Sequence, residues 1–99
     1  ENCAIVREGE VWHFFASVGM NPQHLAHTSG PSPWDWPPLT PAQEITLPLA
    51  PWCAHSQSAL FVDDWRDICG QWAMIYHGLE RPDGDATFGL AFADSLSEW

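Results

Sequence analysis

Two runs of the chain carry apolar side chains almost without alternation, "VWHFFASV" (Val11–Val18) and "QWAMIYH" (residues 71–77). Neither shows the 3.6-residue stripe of an amphipathic helix, nor the two-residue period of a strand with one wet face. Short, aromatic and β-branched runs of this kind read as strands covered on both sides. Two such units are too apolar on both sides to stand alone.

Weaker strand signals flank each run in the same order. "CAIVR" (residues 3–7) precedes the first run and stops at "EGE", where Gly9 supplies a turn, and "HLAHTS" (24–29) follows it. In the second half "SALFV" (58–62) comes first, then an irregular link, "DDWRDICG" (63–70). The second apolar run follows, and a Pro82-Asp83-Gly84 turn of hairpin chemistry leads into "TFGLAFAD" (87–94). Seven of the nine prolines lie in residues 31–51, which excludes a helix there and marks a connection. Within it "EITL" (44–47) can form a short edge strand.

The two halves also match by position. Leu25, Ala26 and Trp34 correspond to Leu90, Ala91 and Trp99 at a spacing of 65, and Glu1, Ile5 and Val6 to Gln57, Phe61 and Val62 at 56. An internal repeat of roughly 60 residues is near the size of a propeller blade. The expected fold is therefore all-β, with antiparallel strands forming two consecutive blades of a β-propeller. Residues 1–50 make blade one with its proline-rich link, and 51–99 make blade two without its outermost strand. A propeller closes with four to eight blades, so the rest of the ring is expected outside these 99 residues. The alternative is a self-contained small β-sandwich or curled sheet.

Composition removes several functions. Three basic residues, all arginine, stand against 13 acidic ones, for a net charge of −10. Such a surface repels nucleic-acid phosphates and anionic membranes. No apolar run approaches the roughly 20 residues of a membrane-spanning helix. The acidity suits a neutral ligand, or solubility alone. Three cysteines without a CxxC pair form neither a disulfide framework nor a zinc signature, although Cys3 and Cys53 can bridge if their backbones approach. His24 and His27, three apart on a strand, point to opposite faces and cannot share an ion. No metal and no cofactor is called for, and no compartment is indicated.

"ENCAIVREGEVWHFFAS…HLAHTSGPSPWDW", "CGQWAMIYHG" and "FGLAFADSLSEW" together resemble blades of the five-bladed propeller glycosidases. These are the family 43 arabinanases and xylosidases, with the family 32-like invertases and levansucrases. "YHG" before a turn is also similar to glycoside phosphorylases on the same propeller. The resemblance covers most of the chain outside the proline-rich link. It implies hydrolysis of glycosidic bonds in an oligo- or polysaccharide, one carboxyl group protonating the leaving oxygen and another activating water or attacking the sugar.

In that family the general acid is a glutamate opening an inner strand, and Glu1 occupies the like position. The following Asn2-Cys3 departs from the family's small residue plus proline, and Asn2 joins the substrate-binding candidates. Gln57 stands at the matching place in the second unit, where an amide can bind sugar hydroxyls but cannot transfer a proton. His55 and Gln57, at the start of an inner strand, are expected to line the same funnel, or else to be an ordinary loop histidine and amide. His77 either faces ligand or is hydrogen-bonded at a strand end. Trp36, with Trp52 and Trp65, offers an indole to a sugar face, whereas Trp34 and Trp99 fill a blade-closing position. Asp63, Asp64 and Asp67 read as a solvated acidic loop, or as a calcium or sugar site. The remaining catalytic aspartates would belong to other blades, so the isolated chain is expected to be inactive. A non-catalytic propeller binding glycans or a protein is the alternative.

Overall fold

A computed structural model describes residues 3–19, 22–40, 43–45, 47 and 51–99. Among these residues six strands form two antiparallel three-stranded sheets, each a meander in sequence order. Sheet one holds β1 (Cys3–Glu8), β2 (Val11–Val18) and β3 (His24–Gly30). Sheet two holds β4 (Ser56–Trp65), β5 (Gln71–Leu79) and β6 (Thr87–Ala93), with one helical turn, α1 (Arg66–Cys69), between β4 and β5. The two unalternating runs are the middle strands, as their composition requires, and β1 lies beside β4.

The stretch expected to be an irregular link is more ordered than its composition suggests. β4 continues through Asp63 and Asp64 to Trp65, and a register shift between Ala59 and Phe61 marks a bulge. Asp64 Oδ1 accepts hydrogen bonds from the Arg66 backbone N–H (3.0 Å) and from Arg66 Nε (2.8 Å), which starts the single helical turn. Gly70 ends it at φ 80°, a left-handed conformation that a side chain would strain. Of the "EITL" stretch the described residues include Glu44, which bridges to Ala26, and Ile45, whose N–H donates to Leu25 C=O (2.8 Å). This isolated bridge lies on the outer edge of β3.

Side-chain alternation gives each sheet two faces. Ala4, Val6, His13, Phe15, Ser17, Leu25 and His27 share the leading face of sheet one. It packs on the trailing face of sheet two, which carries Val62, Trp72, Met74, Tyr76 and Ala91. Trp52, Cys53, Leu96 and Trp99 from the links fill the space between them. The Trp99 ring meets Phe15 edge-on with centroids 5.9 Å apart. At one end Arg66 lies over Trp72 (4.5 Å to the ring centroid) and donates from Nη1 to Glu8 Oε2 (3.0 Å), tying sheet two to sheet one.

The matched positions show how the halves are stacked. Leu25 is 1% exposed between the sheets, whereas its counterpart Leu90 is 52% exposed on the far side of sheet two. Their neighbours reverse this: Ala26 faces away from sheet two, and Ala91 faces sheet one. A sandwich related by a two-fold axis would bury both leucines. The two units instead follow one another head to tail, leading face on trailing face.

Candidate functional site

The strand starts and links meet at one end of the sheet pair. There β4 begins at Ser56, β3 begins at His24, and Glu44–Ile45 crosses alongside. Backbone pairing holds this corner: Gln57 N–H donates to Gln23 C=O (3.2 Å), and His55 N–H to Leu79 C=O (2.9 Å). Gln23 N–H also donates to Ser56 Oγ (3.2 Å), and the Ser17 and Ser58 hydroxyls meet across the sheets. The result is a cleft of about 350 Å³ whose polar lining includes Gln23, His24, Glu44, His55, Ser56 and Gln57. A second recess of about 20 Å³, enough for one water molecule, opens beside it against Gln57, Ser58 and His77.

The side chains are held by local bonds. His55 Nδ1 lies 2.8 Å from Ser56 Oγ, and Gln57 Nε2 donates to the buried Cys53 sulfur at 3.5 Å. His24 Nδ1 lies 3.9 Å from Glu44 Oε2, so a protonated imidazole would pair with that carboxylate. Gly78 lets the Pro51–Cys53 3-10 turn rest directly on β5: a Cβ at this position would lie 2.2 Å from the Cys53 Cβ. This turn forms part of the cleft wall through Cys53.

Of the residues singled out from sequence, His55 and Gln57 line the cleft, and His77 and Gln57 line the adjoining recess. Trp36 does not line either. Its indole stacks on Phe14 (5.2 Å between centroids) and donates to Pro33 C=O (2.9 Å). Glu1 and Asn2 lie outside the described residues. Trp52 is packed on Tyr76 (5.4 Å), and Trp34 is 84% exposed. Sequence reasoning missed His24 and Glu44 as cleft residues, since nothing in the proline-rich link signals that Glu44 folds back to β3.

The chemistry on offer is hydrogen bonding from imidazoles, amides, hydroxyls and one carboxylate. Among the described residues no group of three or more His, Cys, Asp or Glu side chains gathers to hold a metal. Asp64 is engaged with Arg66 (2.7 Å), which holds its carboxyl near pKa 2, and Asp63 Oδ2 accepts from Trp65 Nε1 (3.2 Å). Among the described residues no disulfide joins Cys3, Cys53 and Cys69. His27 stacks on His13, ring nitrogens 2.9 Å apart. Burial first, and then the neighbouring His13, lower the His27 pKa to about 4, so the pair stays neutral between the sheets at pH 7.

No family model, no curated protein and no solved structure matches the chain.

Proposed function

We propose that the chain is two consecutive blades of a carbohydrate-active β-propeller of the glycosidase kind, and that the cleft at the start of β4 binds part of an oligo- or polysaccharide. The carrying observation is convergence. His55 and Gln57, picked from sequence as funnel residues, and His77, picked as a ligand-facing candidate at a strand end, gather around one polar corner where the first strand of the second unit begins. Imidazole, amide and hydroxyl groups in a cleft of about 350 Å³ suit a neutral polyhydroxylated ligand of one or two sugar rings. Head-to-tail stacking of the two sheets, with β1 beside β4, supports the blade reading.

Cleavage needs two carboxyl groups across the scissile bond. The described cleft lining contains one, Glu44, so the described part of this corner is read as a sugar-binding site, and Glu1, the general-acid candidate, lies outside the described residues. The same single carboxylate favours a second reading, a propeller that binds glycans without cutting them.

The test is titration of ¹⁵N-labelled protein with arabino-, xylo- and fructo-oligosaccharides, with reducing-sugar release measured in parallel. We expect shifts confined to the cleft and its recess, at Gln23, His24, Glu44, His55, Ser56, Gln57 and His77, and no hydrolysis. His55→Ala and Gln57→Ala should each weaken binding roughly fivefold, the worth of about one hydrogen bond. Shifts elsewhere, or none with any sugar, would overturn the assignment.

A further inference from the structure

Among the described residues nothing covers the leading face of sheet two. Phe61, Phe88, Leu90 and Phe92 are each 44–66% exposed there, and Trp65, Ile75, Phe88, Gly89 and Leu90 line a shallow trough of about 490 Å³. An apolar face this broad marks an interaction surface. The molecule itself shows what covers such a face. The like face of sheet one, with Leu25 where sheet two has Leu90, is buried by a trailing face carrying a C-terminal tryptophan, Trp99, and an arginine laid over an indole, Arg66 on Trp72.

The chain carries one further trailing face, that of sheet one, and it repeats these features. Trp34 matches Trp99 in the repeat and is 84% exposed. On that face Ile5, paired with Phe14 in the ladder, is exposed, and Arg7 lies over Trp12 at 5.6 Å as Arg66 lies over Trp72. The charges are complementary too. Arg66 reaches across to Glu8 at the C-terminal end of β1, and Asp63 and Asp67 stand at the corresponding end of β4. Arg7, whose Nε donates to Gly9 C=O, has no ion pair among the described residues.

We propose that the leading face of sheet two seats the trailing face of sheet one from a second copy of this chain. Trp34 of that copy enters the trough, and its Arg7 faces Asp63 and Asp67. The contact repeats the one within the chain, so it is heterologous and propagates until a ring closes. Rings of four to eight blades correspond to roughly two to four copies. The inference rests on the head-to-tail blade reading above, but not on sugar as the ligand.

Sedimentation equilibrium of the intact chain tests it. We expect a discrete species at a multiple of 11.1 kDa. Leu90→Asp and Trp34→Asp change exposed side chains, so each variant should keep the wild-type circular dichroism yet associate at least tenfold more weakly. Mixing the two variants leaves one intact leading face and one intact trailing face, and should give a 1:1 dimer and nothing larger. A monomeric wild type, unaltered association in either variant, or a Trp34→Asp protein that still pairs with itself would each overturn the proposal. Sugar binding by a monomer would leave the cleft assignment standing while this one fell, and assembly without sugar binding would do the reverse.

Discussion

Gly78→Ala probes the contact on which the cleft wall depends. The added methyl carbon would lie 2.2 Å from the Cys53 Cβ, 2.8 Å from its Cα and 3.0 Å from Ser56 C=O. Apolar carbons pack at roughly 3.5–4.0 Å, so about 1.5 Å must be found. None of the three obstructing atoms is the far end of a flexible side chain. Either β5 moves away from β4, breaking ladder hydrogen bonds, or the Pro51–Cys53 turn lifts, uncovering Cys53 and loosening Trp52 from Tyr76 and Gly89. Overpacking a well-filled site costs about 1–3 kcal/mol, and main-chain obstruction places this one near the upper end. For a domain of this size about 3 kcal/mol lowers Tm by roughly 12–24 °C. Thermal melts followed by far-UV circular dichroism measure it, with Gly84→Ala as control, where the nearest obstruction at 3.2 Å is the flexible Arg81 side chain. A Gly78→Ala melt within about 4 °C of wild type, under 1 kcal/mol, would refute the packing argument.

Two further outcomes follow from the layer between the sheets. His27 has a folded-state pKa of about 4 against 6.5 when unfolded, so the unfolded chain takes up a proton that the native state refuses. Stability is then complete above pH 6.5 and falls as pH drops towards 4, by about 1–2 kcal/mol once residual solvent contact is allowed for. Urea midpoints between pH 7 and pH 4 should show this fall, and His27→Phe should flatten it; an unchanged slope in the variant would assign the effect to other groups. Phe15→Ala removes a fully buried ring that meets His27 (4.9 Å) and Trp99 (5.9 Å), and should cost about 3–5 kcal/mol in denaturant unfolding. A loss below about 1 kcal/mol would mean that the sheets are not packed through this residue.

The strands were legible because burial on two faces leaves a signature no helix shares. Val11–Val18 is the observed β2, and β5 extends the expected run only to Leu79. Direction of packing was less legible. The spacing of 56 pairs Val6 with Val62, and both turn toward the layer between the sheets. The spacing of 65 pairs Leu25 with Leu90, of which one is buried and the other exposed. The bulge between Ala59 and Phe61 supplies the reason: one extra residue in β4 reverses the facing of every side chain after it. The cleft was legible where a strand start announced it, at His55 and Gln57. It was illegible at Glu44, whose pairing with Ala26 across the proline-rich link is a long-range event without local periodicity. Ordering of residues 63–70 was also missed, because it depends on Asp64 and Arg66 capturing each other rather than on any propensity.

The bridge at Glu44 has one more effect. It occupies part of the outer margin of β3, so a stray strand finds few free amides there. β6 pairs with β5 alone among the described residues, and its seven residues, "TFGLAFA", contain neither charge nor proline. That margin is a template for backbone recruitment of any extended apolar segment, which makes concentrated solutions of the protein prone to fibrous precipitation initiated along Thr87–Ala93.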